Sequence, residues 1–133
     1  PLPMGMPAAK QGDQVLATDT HIIMIPGTPP VPTPLPHPFT GMLTGGLIST
    51  VTIGGMPAAV AGSTADNLPP HIPQGGPFQK PPANSGSVLM GSSTVFIGGK
   101  PAARQGDTAM TCNDPADMPV GTVIAAGTVM IGG

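Results

Sequence analysis

One short phrase occurs three times along the chain, and it constrains the fold more than any other feature. The copies are MPAAKQGD at 6–13, MPAAVAGS at 56–63 and KPAARQGD at 100–107. A unit that repeats within one chain usually forms equivalent structural modules that bury a face against each other. The repeat therefore predicts three similar modules within a single domain of 133 residues.

A second phrase, T-V-x-I-G-G, predicts how the modules are joined. It runs directly into the second copy at 50–55 and into the third copy at 94–99. Its third occurrence, at 128–133, is the end of the sequence, and the matching continuation is at the beginning. We therefore expect the units 6–55, 56–99 and 100–133 to form a ring that residues 1–5 close, with the two termini side by side.

The composition predicts an all-β fold. Gly and Pro account for 20 residues each, which in an aperiodic sequence would indicate disorder. Here charged residues are sparse, and short Val/Ile runs lie between glycines, so a folded chain is expected. Helix is disfavoured because the sequence has no Glu, because Pro interrupts most windows, and because no apolar period of 3.6 is sustained.

Charge and hydropathy exclude two classes of partner or location. A net charge of −2 with four basic residues gives no electrostatic surface for nucleic acid. No cationic segment precedes an apolar one, and no apolar run reaches the roughly 20 residues that a membrane span requires. We expect synthesis in the cytoplasm without a signal peptide, followed by export through a route that reads no such signal.

Each unit is expected to close with a short hairpin. The second would pair 87–90 with 94–97, and the third would pair 122–125 with 128–131, across small turn residues. The first unit has a weaker counterpart at 43–53. The Gly-Gly pairs that follow are interpreted as tight turns. Asp13 and Asp107, which follow Gly in the repeated phrase, are interpreted as turn residues that bind the backbone.

The middles of the first two units are rich in proline. Seven of the thirteen residues in 26–38 are Pro, and 69–82 is similar. Such segments are expected to be extended, polyproline-like loops that cannot join a central strand. They are interpreted as stiff segments that cover the rest of the protein. The alternative is that they bind, as proline-rich ligands, in an aromatic groove of another protein.

All the histidines and the one cysteine lie in these variable middles. His21 and His71 each lie 15 residues after the first residue of their unit, and Cys112 lies 12 after Lys100. A threefold arrangement would bring such positions together, and His37 supplies a further ligand. Three imidazoles and a thiolate fit one tetrahedral, structural zinc ion. The alternative is that these four residues are unrelated. Asp114 and Asp117, near Cys112, are interpreted as solvated loop residues, with support of the metal ligands as the alternative.

The repeated phrase, the three T-V-x-I-G-G strands and the set of three His and one Cys together resemble the PAAR-repeat proteins. The third copy spells the motif in full as Pro101–Arg104. The resemblance implies a pointed, pseudo-threefold cone of three β-hairpin repeats with a zinc ion near its apex. It also implies a non-enzymatic tip that caps the trimeric, VgrG-like β-helical spike of a type VI secretion system or a related contractile injection particle.

The resemblance further implies what the tip contacts. The hairpins that end in Ile53, Ile97 and Ile131 are expected to bind the spike trimer, one tip per trimer. Effector cargo is an optional partner, and the target membrane is a transient one, as the particle delivers the tip outside the cell or into a target cell. Two other functions stay open. One is a secreted proline-rich adhesin or interaction module, and the other is a zinc hydrolase, which would need an open metal position and a general base.

Overall fold

The structure is a computed structural model and describes residues 5–132. The parts of the expected domain and ring closure that fall on residues 1–4 and on Gly133 lie outside the described residues. Within 5–132 there are strands and loops but no helix, and so none that could cross a membrane. The strands are β1 (Met6–Pro7), β2 (Gln14–Ile25), β3 (Val31–Gly45), β4 (Ile48–Ile53), β5 (Met56–Ala58), β6 (Thr64–Asn67), β7 (Ser85–Val88), β8 (Phe96–Ile97), β9 (Lys100–Pro101), β10 (Thr108–Thr111), β11 (Met118–Ile124) and β12 (Met130–Ile131).

Six of these strands close a barrel, in the order β10-β11-β2-β3-β6-β7. Each repeat gives it two strands, one that begins just after the repeated phrase and one that returns after the variable middle. The remaining six strands form three two-stranded sheets, β1 with β12, β4 with β5 and β8 with β9. The all-β, threefold class expected from the repeats is therefore confirmed.

Three alanines of the repeated phrase join the repeats at the centre. The N–H of Ala9 donates to the carbonyl of Ala103 (2.9 Å), that of Ala103 to Ala59 (3.0 Å), and that of Ala59 to Ala9 (3.1 Å). All three residues are fully buried. The bonds form a closed cycle in which each repeat donates once and accepts once, so the three units are equivalent neighbours around one axis.

The turn that follows each alanine also repeats. Asp13 accepts the N–H of Lys10 (3.0 Å), and Asp107 accepts that of Arg104 (2.7 Å). In the second unit the hydroxyl of Ser63 accepts the N–H of Val60 (2.9 Å). The interpretation of these side chains as turn residues that bind the backbone is confirmed.

The hairpins lie elsewhere than the sequence analysis placed them. The pairings of 87–90 with 94–97 and of 122–125 with 128–131 are wrong, because Ser85–Val88 and Met118–Ile124 belong to the barrel. The hairpins instead span the Gly-Gly pairs, where Ile53 pairs with Met56 and Ile97 with Lys100. Both glycines of each turn have positive φ, the conformation of the two-residue turns that match strand twist. The predicted tight turns therefore form the hairpins themselves.

The first proline-rich segment also differs from its expectation, because Val31–Gly45 is a 15-residue strand that pairs with β2. The four prolines at 32, 34, 36 and 38 alternate along it. The N–H and carbonyl of Thr40, an even-numbered residue, bond to Asn67 and Leu68, on the side away from β2. Because backbone N–H groups of a strand point alternately to its two sides, the positions of the even-numbered prolines also face away from β2. The N–H groups that these prolines lack would lie on the outer edge of β3, so β2 loses no hydrogen bond. The second segment, 69–82, is a loop as expected.

Two apolar clusters fill the interior. The one beside the hairpins joins Ala8, Ala58 and Ala102 with Ile53 and Ile131, and Val95 and Ile97 pack against it. The other fills the barrel and includes the three ring alanines, Phe39 and Cys112. Phe39 fits because its neighbours are small: a Cβ on Gly41 would lie 2.9 Å from the Phe39 ring. The alanine phrase thus separates a hairpin end from a barrel whose core extends to the cysteine.

Candidate metal centre

The site lies where β2 and β3 extend beyond the closed barrel. β2 pairs with β11 only at Gln14–Leu16, and β3 pairs with β6 only at Gly41–Gly45, whereas β2 and β3 pair with each other as far as Ile25 and Val31. Asp19, His21 and His37 lie in this extension. His71 comes from the loop after β6, and Cys112 directly follows β10. All three repeats therefore contribute to one place, as the sequence analysis expected.

Strand alternation turns these side chains inwards. On β2 the odd-numbered residues Asp19, His21 and Ile23 are buried, while Thr18 and Thr20 are exposed. The same alternation on β3 buries His37 and Phe39 and exposes the prolines. Because successive side chains of a strand point to opposite faces, spacing by two is what puts a carboxylate and an imidazole of one strand on the same face.

Asp19, His21, His71 and Cys112 form one tight, buried group. Their ligand atoms all lie within 4.8 Å of one another. Nε2 of His21 lies 3.6 Å from Sγ of Cys112, and Oδ2 of Asp19 lies 3.4 Å from the same sulfur. Nε2 of His71 donates to Oδ2 of Asp19 at 2.8 Å. The group could hold a metal ion, since nitrogen, sulfur and oxygen donors converge there away from water.

His37 is not in that group of four, but its ring lies beside the rings of His21 and His71. Ring centroids are 5.5 Å apart for His21 and His37, 5.5 Å for His37 and His71, and 4.8 Å for His21 and His71. Three imidazoles bound through nitrogen at 2.0–2.1 Å to one tetrahedral ion would have centroids roughly 5 Å apart. The near-equal triangle therefore fits three imidazoles around a common centre.

Oxygen atoms close to Nδ1 prepare two of these rings to bind a metal. Nδ1 of His37 lies 2.9 Å from the carbonyl of Leu35, and because a carbonyl only accepts, Nδ1 carries the proton and Nε2 a free lone pair. Nδ1 of His21 lies 3.5 Å from the buried carboxylate of Asp114. Nε2 of His37 and Nδ1 of His21 are two of the three buried side-chain polar atoms in residues 5–132 that lack a hydrogen-bond partner. An outer acceptor on Nδ1 is the usual setting of a ligating histidine.

Burial tunes the protonation of the group. It lowers the pKa of His21 below its usual value, an effect that the nearby Asp114 only partly offsets, so the imidazole is held neutral. Burial also raises the pKa of the Cys112 thiol to about 11, and Asp19 adds to that shift. A neutral imidazole is ready to ligate, whereas the thiol must give up its proton to do so, which couples metal binding to proton release.

Two acidic residues play a larger part than the sequence analysis gave them. Asp19 was not singled out, although its position two residues before His21 on one strand was a usable signal. Asp114 was interpreted as a solvated loop residue, which is wrong, because its side chain is only 3% exposed and accepts the N–H of Ile22 at 2.9 Å. That bond to the β2 edge draws it inwards. Asp117 is exposed, as expected.

Fold and site together define a small all-β protein whose three repeats close around a buried group of metal-competent side chains. The family model of the PAAR motif matches residues 79–133, which hold the end of the second repeat and the whole third one. The end of the second repeat and the third repeat therefore carry the PAAR motif. The first and second repeats carry the same phrase outside the matched range. No curated protein matches the chain as a relative.

Proposed function

We propose that this chain is a non-enzymatic tip that caps the trimeric β-helical spike of a contractile injection system and carries one structural zinc ion at its point. PAAR proteins are spike-tip proteins, and the motif here supports that general role. The observation that carries the finer proposal is the pairing of two features in one molecule. One end has three equivalent hairpins, and the other has a buried cluster of metal ligands to which all three repeats contribute.

The hairpin end suits a threefold partner. A single chain with internal threefold symmetry can present three similar surfaces to three identical subunits, which predicts one tip per spike trimer. Ile53 and Ile131 are 7% and 5% exposed, and Ile97 packs against the same cluster, so the isoleucines form an apolar floor beneath the hairpins. We propose that this floor and its hairpins bind the spike, with strand addition to the hairpin sheets as the mode of contact.

The exposed residues of the hairpins identify where to test that contact. Phe96 and Met130 occupy equivalent positions directly before Ile97 and Ile131, and they are 57% and 50% exposed. Large apolar side chains that remain exposed in a hairpin are typical of an interaction surface. They are therefore the side chains whose burial we expect when the spike is bound.

The ligand end suits a structural metal rather than a hydrolytic one. A hydrolytic metal keeps an open position for water and substrate. Here His21, His37 and Cys112 are 1–2% exposed and His71 is 8% exposed, so the ligands enclose the site. A narrow point has too few residues for a core of its own, and a metal can supply the missing stability. We propose that the ion stiffens the tip for membrane puncture, after assembly in the cytoplasm on the particle that delivers it.

The test replaces Phe96 and Met130 together by Asp and measures co-purification with a spike trimer alongside zinc content. Ile72→Asp is the matched control, because Ile72 is 66% exposed and lies in the 68–84 loop. We expect the double variant to lose capping and keep its zinc, and the control to keep both. Capping at the wild-type level in the double variant would contradict the proposed interface and favour an adhesin or interaction module instead.

A further inference from the structure

Asp19 is a fully buried carboxylate at the centre of the metal-ligand group, and its setting calls for a positive charge. The Lys and Arg side chains that form ion pairs within residues 5–132 are Lys10 and Arg104, and their partners are Asp13 and Asp107. The basic side chain that contacts Asp19 in the described chain is the imidazole of His71. A buried ionised carboxylate is normally paired with a cation or placed beside a metal.

Both carboxylate oxygens are held in defined positions. Oδ1 accepts the hydroxyl of Thr111 (2.5 Å) and lies 3.5 Å from the amide nitrogen of Asn113. Oδ2 accepts Nε2 of His71 (2.8 Å) and lies 3.4 Å from Sγ of Cys112. One oxygen is therefore anchored by the barrel residues that flank the cysteine, and the other is aimed at two of the metal-ligand candidates.

The 2.8 Å contact argues that Asp19 and His71 are not both ligands. Two ligand atoms at 2.0–2.1 Å from one tetrahedral ion lie about 3.3 Å apart, so the shorter distance is that of a hydrogen bond. The three imidazoles, His71 included, surround a common point at near-equal spacing. Because Nε2 of His71 is held by Asp19, His71 would bind the ion through Nδ1, which lies 3.3 Å from the amide nitrogen of Asn67. With Cys112 the three imidazoles complete four ligands, and Asp19 lies beside the ion without binding it.

The net charge of the bound ion and its ligands explains why a carboxylate would lie beside them. A zinc ion bound by three neutral imidazoles and one thiolate carries a net charge of +1, and such a charge is costly to bury. Two buried carboxylates, Asp19 and Asp114, lie beside this group and offset that charge, and Asp19 is the one that contacts the thiol. Asp19 fits this requirement, since it is 0% exposed and touches both the thiol and one imidazole.

We propose that Asp19 is a charge-balancing and positioning residue of the metal centre: it orients His71 and Cys112 and offsets part of the charge of the bound ion without ligating it. The inference rests on the proposed metal centre. It separates the four candidates that lie within 4.8 Å of one another into three ligands and one supporting carboxylate, and it returns His37 to the ligand set.

The test is Asp19→Asn, which keeps the shape and removes the charge. Affinity for zinc would be measured by chelator competition, and the ligand set would be read from the visible absorption of the cobalt(II)-substituted protein. We expect zinc affinity to fall by roughly 10- to 100-fold, as for other outer-shell partners of metal ligands, with the tetrahedral cobalt spectrum retained. Asp117→Asn, the removal of an exposed acid, is the matched control and should change neither.

A second variant keeps the test decisive if Asp19→Asn does not fold. Thr111→Val removes the hydroxyl that holds Oδ1 and leaves the charge, so it should weaken zinc binding in the same direction by a smaller factor. Wild-type zinc affinity in Asp19→Asn, or a cobalt spectrum that shows a lost ligand, would overturn the inference alone. A wild-type chain that binds no metal would overturn the metal centre of the proposed function as well.

Discussion

Met6 pairs with Ile131 in an antiparallel ladder, although the two residues lie near opposite ends of the chain. The equivalent pairs in the other repeats, Ile53 with Met56 and Ile97 with Lys100, are joined by Gly-Gly turns. The same hairpin is therefore built twice with a covalent turn and once across the chain ends. The covalent connection at this position is not what holds the hairpin together.

That relationship predicts a functional circular permutant. Joining the ends through a short linker and opening the chain between Gly55 and Met56 should give a folded protein, because the opened hairpin then matches the natural β1–β12 pair. Circular dichroism, zinc content and urea denaturation would be compared with the wild type. A permutant that stays unfolded with zinc supplied would show that the repeats are not interchangeable around the ring.

The hydrogen-bond cycle through the three alanines predicts that stability is sensitive to a larger side chain at any of these positions. Ala59→Val should lower the free energy of unfolding by about 1–3 kcal/mol, since Ala59 is fully buried where three backbones meet. Ala83→Val at an exposed position is the control and should stay within about 0.5 kcal/mol of the wild type. Urea denaturation in excess zinc would measure both. Equal stability of the two variants would mean that the centre is loosely packed.

The metal ligands predict a graded response to substitution. Cys112→Ser should weaken zinc binding by more than the roughly 10- to 100-fold typical of an outer-shell partner, because it removes the thiolate itself. The apex should loosen and the thermal midpoint should fall, with the hairpin end intact. Elemental analysis of tag-free protein should give about one zinc per wild-type chain. A metal-free wild type that is fully folded would contradict the site.

His37→Gln separates the two candidate ligand sets. If three imidazoles bind the ion, this variant should lose zinc affinity to about the same extent as His21→Gln. The measurement is chelator competition on both proteins under one set of conditions. Wild-type affinity in His37→Gln would instead favour the group of Asp19, His21, His71 and Cys112, whose ligand atoms lie closest together.

The alternating prolines predict resistance to self-association. Replacing Pro32, Pro34 and Pro36 by Thr would give the outer edge of β3 a row of free N–H donors, which is a template for pairing with another chain. We expect the triple variant to form dimers or larger species in light scattering. The matched control replaces the exposed loop prolines Pro70, Pro73 and Pro81 by Thr and should remain monomeric. If the triple variant of β3 stays monomeric, the prolines do not protect this edge from pairing with another chain.

The features that follow from the threefold repeat could be predicted from the sequence. The three units, the pairing of the first strand with the last and the gathering of His21, His71 and Cys112 follow from equal positions in equal modules. The hairpins at 87–97 and 122–131 were misplaced because short Val/Ile runs do not reveal their partners. The turns of the hairpins are the pairs Gly54–Gly55 and Gly98–Gly99, with positive φ at both glycines. The sequence analysis recognised these pairs as tight turns but did not connect them with the short strands on either side.

The proline-rich strand and Asp19 were missed for a different reason. Pro reads as a strand breaker, and its tolerance on β3 depends on which edge the missing donor faces, a property of the register between two strands. Asp19 reads as an ordinary polar residue of an alternating strand. Its spacing of two from His21 was a usable signal, but the contacts of Thr111, His71 and Cys112 with its oxygens, from two other repeats, are what distinguish it.

The cycle of hydrogen bonds through Ala9, Ala103 and Ala59 separates what must stay constant in this molecule from what is free to vary. Backbone hydrogen bonds join the three repeats at the centre, and the exposed loops of the middle segments take no part in these bonds. The middle of one repeat is a long hairpin, that of another a proline-rich loop and that of the third a short turn. The scaffold should therefore accept three independent loop grafts, each delivered to the same point, which makes it a natural frame for building new three-component sites.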